Sequence, residues 1–370
     1  LWIRDNEPEL FARAYKMLNA KDYMVARLTG RYVTDYSDAS GTNLLDLRAK
    51  DWSGEILSAL GIPRSLLPEL HASADQVGTV LPEAAEQTGL LSGTPVILGG
   101  GDGSCACVGA GVAQEGKTYH VLGSSSWIST ASAQPIADPE MRTFNWVHLD
   151  PTLYTPCGTM QAAGMSFQWF RNTLCGEELL RARELEVTAY RLIDQAIEAS
   201  QPGAGGVLYL PYLLGERSPR WNFNARGAFV GLRADTGKGE MARAVLEGVG
   251  YNLKVILDIF DTREPIDRVT VIGGGAKGRV WLQILADIWQ KPLSVPRYRE
   301  EATSMGAAVC AGVGIGAFSG FAEAARLNPP EEELLPRPEY AQRYRELYRL
   351  FNQAYDQLCA VYDGLARLEL

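Results

Sequence analysis

Asp102 is the residue whose type and setting most suggest chemistry. It follows three glycines, Gly99-Gly100-Gly101, which close a short apolar run, Val96-Ile97-Leu98, and it precedes a stretch of small residues. Two readings are open. An aspartate there caps a helix for plain backbone reasons. Alternatively, it is a carboxylate at the end of a buried strand, where α/β folds place their ligands and where it could accept a proton.

Three glycine-rich turns could meet phosphate. Gly273-Gly-Gly275-Ala-Lys277-Gly278 has the spacing GxGxxG, with an apolar strand pattern before it and a helical one after it. Glycines opening a helix suit a nucleotide phosphate or ribose, or simply a tight turn. A dinucleotide fingerprint would also want an acid ~20 residues on. Glu300 and Glu301 lie slightly too far for that. Leu122-Gly123-Ser124-Ser125-Ser126-Trp127 could offer N–H and hydroxyl donors to an anion, though alone it reads as an ordinary hairpin turn. Gly111 to Thr118 spells GxxxxGKT, but a small-residue helix precedes it and a strand pattern follows. That is the reverse of a P-loop, and a polar turn is the better account.

The six cysteines (105, 107, 157, 175, 310, 359) contain no CxxC pair, and the three histidines (71, 120, 148) lie far apart. No zinc site follows, and free thiols in a reducing cytoplasm are the simpler expectation. With 35 basic against 44 acidic residues, a net charge of −9 and no basic run, the chain does not fit a nucleic-acid partner. Ala302 to Ala322 lacks charge but carries five glycines, a composition suited to close helix packing rather than a membrane span. The start, LWIRDNEPEL, is charged from its fourth residue and has no Met, so no signal peptide is expected and a fragment is.

The elements that must hold these residues alternate. At 370 residues and 46% hydrophobic, two domains are expected. Pro8 and neighbouring acids open a helix, and residues 31–53 read as an ordered loop region. Strands are expected from Lys117 and in RTFNWVHL, and helices at about 159–174, 185–199 and 239–260. Then follow strand VTVIGGG, helix VWLQILADIWQ, strand LSVP and long helices from about Glu339. This is an α/β pattern. VILGGGD at 96–102 and VTVIGGG at 269–275 echo each other, as in a duplicated plan with a cleft between.

In collinear order these segments resemble the FGGY family of carbohydrate kinases, within the actin/hexokinase-like superfamily, with the nearest look to xylulokinases. LWIRDN at 1–6 is similar to the end of the family's first signature, TDYSDASGTNLLDLR at 34–48 to its Thr-Asp-x-Ser-x-Ala-Ser segment, and GGGD at 99–102 to the segment with the catalytic aspartate. LGSSS at 122–126 resembles a phosphate motif, AAGMSFQWF at 162–170 a nucleotide-contact segment, and IGGGAKG at 272–278 the adenosine motif. GERSPRWNFNARGAFVGL with RAVLEGVGYNL resembles the second signature, and EATSMGAAVCAG the connecting helix.

The resemblance implies two ribonuclease-H-like domains flanking a cleft, residues 1–113 binding sugar and 114–370 binding nucleotide. It implies ATP with Mg2+, no assigned metal ligand, and a sugar acceptor, most simply a ketopentose such as xylulose. Asp102 would be the general base, with Gly103 beside it on the sugar. Gly123, Ser124, Ser125, Gly164, Gln168, Gly274, Gly275, Lys277 and Gly278 would hold the nucleotide. A homodimer is compatible with this, and no membrane is involved. Two departures stand out. The family's opening Asp-x-Gly-Thr phosphate motif is not in the sequence, which implies a first domain without its opening strands. Gly103 stands where xylulokinases carry Asn. A nicotinamide-dependent sugar oxidoreductase using Gly273–Gly278 and a non-catalytic sugar- or nucleotide-binding protein are the alternatives.

Overall fold

The computed structural model describes residues 1–368 of the 370-residue chain. Its largest element is a seven-stranded sheet in the order Pro330–Leu334, Leu293–Pro296, Val269–Ile272, Thr118–Leu122, Ser126–Thr130, Tyr154–Met160, Phe144–Val147. The three strands Leu293–Pro296, Val269–Ile272 and Thr118–Leu122 run parallel. The register sets Val269 against Thr118 and Ile272 against Val121. Both strands therefore end together, and the glycine turns that follow them leave from one edge. The helix Arg279–Trp289 makes the crossover between two of the parallel strands, as a parallel pair requires.

The helix Lys238–Asp261 is buried around nearly its whole circumference, as expected of a helix apolar on all sides. It shares one core with the sheet and with the C-terminal helix Ala341–Ala366 through Tyr251, Tyr344 and Phe351. Arg243 and Glu247, both buried, pair at 2.7 Å, and Tyr344 donates its hydroxyl to Glu247 at 2.8 Å.

Residues before the sheet form smaller units. Val33–Asp35 runs parallel to Glu69–His71, and Gln76–Thr79 pairs antiparallel with Pro95–Ile97. Leu45–Asp46 pairs with Asp51–Trp52. The run 31–53 is thus more ordered than a loop, with the short helix Tyr36–Ser40 inside it. The strand before Asp102 belongs to one of these two-stranded pairs, not to the large sheet.

One helix expectation needs correcting. Residues 159–163 are not helical: the strand Tyr154–Met160 runs into them, and the helix begins only at Gly164. A Cβ on Gly164 would stand 2.5 Å from the Gly123 carbonyl oxygen, so only glycine fits where the helix opens against the neighbouring turn. The helix Gly176–Glu184 also precedes the expected helix at 185–199, which starts at Ala189.

The two halves are fastened by the helices Asp102–Gly109 and Ala302–Gly314. A Cβ on Gly109 would fall 1.7 Å from the Ala302 carbonyl oxygen, and one on Gly306 1.9 Å from that of Cys105. The helices meet backbone to backbone, which larger residues forbid. Gly306→Val should lower unfolding stability by at least about 2 kcal/mol, as overpacking against unyielding backbone does. Urea denaturation measures this, and an unshifted midpoint would contradict the contact.

Candidate functional site

Asp102 opens the helix Asp102–Gly109, with Gly101 as its N-cap. Its Oδ1 accepts the Gly103 N–H at 2.7 Å, and the residue is exposed. Asp102 thus stands one residue past the N-cap, and its carboxylate takes one of the free N–H groups of the first turn. It lines a cavity of about 610 Å³ together with Asn19, Lys21, Asp38, Thr303 and Ser304. Gly103 is tied down from behind, its carbonyl accepting the Tyr119 hydroxyl at 2.8 Å.

The backbone before Asp102 is held by a relay that starts at Asp35. This fully buried carboxylate caps the helix Tyr36–Ser40 through the N–H groups of Ser37 and Asp38. Its Oδ2 also accepts the hydroxyls of Ser37 at 2.5 Å and Ser73 at 2.7 Å. The Ser37 Oγ in turn accepts the Gly101 N–H at 3.1 Å. Gly100 lies so close that a Cβ would meet Ser37 Oγ at 2.7 Å and Leu149 Cδ2 at 2.2 Å. The glycines before Asp102 thus let the chain press onto the segment at 34–38.

Lys21 balances this acidic floor. Its Nζ lies 2.6 Å from Asp22, 3.2 Å from Asp35 and 4.0 Å from Asp38. Burial works against the ammonium, but Asp35 and Asp22 outweigh it and hold the Lys21 pKa above its ordinary value. Asp38 is pushed up to about 6, first by burial, with Lys21 opposing and Asp22 and Asp35 adding to the rise. Ser37 and Asp38 fall inside the segment 34–48, while no sequence motif marks Lys21. The signal available was the Asp- and Ser-rich run at 35–40, whose hydroxyls and carboxylates satisfy one another only when buried.

The expected nucleotide residues form a second group at the ends of Thr118–Leu122 and Val269–Ile272. The Gly123 carbonyl accepts the Gly164 N–H at 2.9 Å, and the Ser124 carbonyl accepts that of Met165 at 3.1 Å. A Cβ on Gly275 would lie 2.4 Å from Leu122 Cγ. Gly123, Ser124, Ser125, Gly164, Gly274, Gly275 and Gly278 are so brought around one edge. Gln168 is exposed on the helix Gly164–Leu174, one turn beyond Gly164. Lys277 turns to Glu300, at 2.5 Å.

These residues do not line the cavity of Asp102, but the chain joins the two groups. The Gly273 N–H donates to the Arg299 carbonyl at 2.9 Å, and a few residues later Thr303 and Ser304 form the cavity wall. The GxxxxGKT segment at 111–118 has a helix before it and a strand after it, the context of a polar turn.

Comparison with known proteins gives this geometry its class. The model of the FGGY carbohydrate-kinase N-terminal domain matches residues 1–109, and that of the C-terminal domain matches 118–315. The chain belongs to the FGGY family of carbohydrate kinases, sugar phosphotransferases that use ATP as cosubstrate. It is 34% identical over 357 residues to xylulose kinase of Bacillus subtilis (strain 168), covering 96% of this chain and 69% of that protein. It is equally 34% identical over 375 residues to autoinducer-2 kinase of Escherichia coli O9:H4 (strain HS), covering 99% and 70%. The crystal structure of ligand-bound xylulose kinase from Lactobacillus acidophilus superposes with a TM-score of 0.90 at 29% identity, covering 98% of this chain and 72% of that one. Membership sets aside the nicotinamide oxidoreductase and the non-catalytic binding protein. The N-terminal-domain match begins at residue 1 of the chain, which spans 69% and 70% of the two curated relatives. Among the described residues, no helix is long and apolar enough to cross a membrane.

Replacing Lys21 with Met would strand two buried carboxylates without their cation. Breaking a buried pair in this way costs about 3–5 kcal/mol. Lys21→Met should therefore unfold at markedly lower urea concentration, and a variant as stable as the parent would show that Asp22 and Asp35 do not depend on it.

Proposed function

We propose that the protein phosphorylates a ketopentose such as xylulose at the expense of ATP, in the cytoplasm, with Asp102 as general base. Residues 1–113 carry the acceptor and 114–370 the nucleotide. The observation that carries this reading is the relay from Asp35 through Ser37 to Gly101, which holds the backbone that presents the exposed Asp102 carboxylate to a cavity shared with Lys21, Asp38, Thr303 and Ser304. The sugar hydroxyl oxygen attacks the γ-phosphorus, and its proton passes to Asp102. The bond from that phosphorus to the β–γ bridging oxygen breaks, and ADP leaves. The transition state is loose and highly charged, so positioning and electrostatics do most of the work. Gly123, Ser124 and Ser125 hold phosphate oxygens, while Gly164, Gln168, Gly274, Gly275, Lys277 and Gly278 bracket the adenosine.

Magnesium would enter this site as a companion of ATP. Among the described residues, no group of three or more His, Cys, Asp or Glu could hold a metal ion. The ion would arrive on the ATP phosphates with several waters, and no step here runs through a protein-bound metal.

The ketopentose rests on the xylulose kinases among the relatives, and the autoinducer-2 kinase marks how far acceptors diverge at similar identity. An ADP-coupled assay over pentuloses, hexuloses, glycerol, erythritol and aldohexoses should give the highest kcat/KM with a pentulose. Preference for an aldohexose would overturn this choice of acceptor. Asp102→Asn keeps size and polarity but cannot take the proton. Its kcat should fall by ~10²–10⁴ while affinity for a non-hydrolysable ATP analogue persists. A near-normal kcat would remove Asp102 from the mechanism.

A further inference from the structure

Of the three aspartates around Lys21, two are accounted for by the fold. Asp22 and Asp35 are 1% and 0% exposed, and Lys21 Nζ stands 2.6 and 3.2 Å from them. Asp38 differs. It lies 4.0 Å from the same ammonium, keeps 24% of its side chain exposed, and lines the cavity that Asp102 enters. Its Oδ1 is 3.7 Å from the point where a Cβ on Gly101 would be, next to the backbone of Asp102. One ammonium cannot balance three carboxylates, and an asparagine at this position would relieve the crowding at nearly the same size. A charged group kept there against its neighbours is a cost to the fold, of the kind that binding sites carry.

We propose that Asp38 is an acceptor-recognising residue: its carboxylate accepts hydrogen bonds from hydroxyl groups of a neutral polyhydroxy sugar lying beside Asp102, and it disfavours anionic sugar acids. The proposal rests on the kinase reading above and narrows its substrate class. A partly desolvated carboxylate is a strong acceptor for O–H donors, and adjacent hydroxyls of a polyol can meet its two oxygens. Lys21 is a positioning residue. Its charge is taken up by Asp22 and Asp35, so it offers a sugar acid little compensation for Asp38 and Asp102 on the two sides of the cavity.

The charged groups facing Asp38 are Lys21 and Asp22 from the helix Ala20–Thr29, Asp35 from the strand Val33–Asp35, and Asp102 across the cavity. With its carboxyl pushed up to about 6, Asp38 loses acceptor capacity as pH falls through that value. The linked effect on folding has the opposite direction. A carboxyl whose folded pKa is raised favours the protonated native state, so stability declines as pH rises from the ordinary carboxylate range toward about 6.

Calorimetric titration of the full chain with xylulose and with xylonate, without nucleotide, tests this independently of turnover. The parent should bind xylulose and not xylonate, with affinity falling below pH 6. Asp38→Asn should raise the xylulose Kd about tenfold or more, the scale of one charged hydrogen bond. It should also flatten the pH dependence and raise the unfolding temperature at pH 8. Asp38→Ser, measured alongside with circular dichroism, guards against a misfolded single variant and should weaken xylulose equally. An unchanged Kd in folded Asp38→Asn, or a parent that binds xylonate as well as xylulose or binds neither, overturns the proposal. If ADP release with xylulose persists in the parent beside an unchanged Kd, only the role of Asp38 fails. If Asp38→Asn weakens binding but the parent releases no ADP, the kinase reading fails and the recognition stands.

Discussion

The helices Asp102–Gly109 and Ala302–Gly314 approach so closely that carbonyl oxygens occupy the places where side chains at Gly109 and Gly306 would begin. This steric constraint fixes the rest. It sets the first residues of both helices, Asp102 on one side and Thr303 and Ser304 on the other, around one cavity. Separate the helices by one methyl group and the cavity walls no longer belong to the same space. Packing densities leave no slack to absorb such a change.

From that contact the arrangement propagates in two directions. Toward the N-terminus, Asp102 is backed by Gly100 and Gly101, which press onto Ser37 and through it onto Asp35. Asp35 is anchored by Lys21 and Ser73. Toward the C-terminal sheet, the residues before Ala302 return to the Gly273 turn, where Arg299 accepts the Gly273 N–H. The glycine turns thus connect to the cavity through a short length of chain. Phosphoryl transfer needs that economy, since positioning supplies most of its rate.

The sequence made the strand–glycine–aspartate segment, the two glycine turns and the α/β alternation readable because each is local: periodicity, breakers and a polar residue within a few positions. The acidic floor is readable only in part: the run at 34–38 stands out as a motif, but Lys21 and Asp22 look like ordinary surface charge until the fold buries them beside it. The start of the helix at Gly164 is likewise set by contacts distant in sequence. Thr159 to Ala163 has no breaker; sheet pairing of Thr159 and Met160 with Trp127 and Ser126, and the bond from the Gly164 N–H to the Gly123 carbonyl, keep these residues out of the helix. The pairing of the strand at 95–97 with a short local partner, rather than with the large sheet, is likewise a tertiary outcome that an apolar run cannot announce.

The central claim is that acceptor and nucleotide meet with Asp102 between them. A crystal structure of the protein with a non-hydrolysable ATP analogue and a pentulose tests it most directly. The account predicts a sugar hydroxyl within hydrogen-bond reach of the Asp102 carboxylate, about 3 Å, and terminal phosphate oxygens against the turn Gly123–Ser125. A sugar bound away from Asp102, or a nucleotide placed elsewhere than the turns at 123–125 and 273–278, would contradict it.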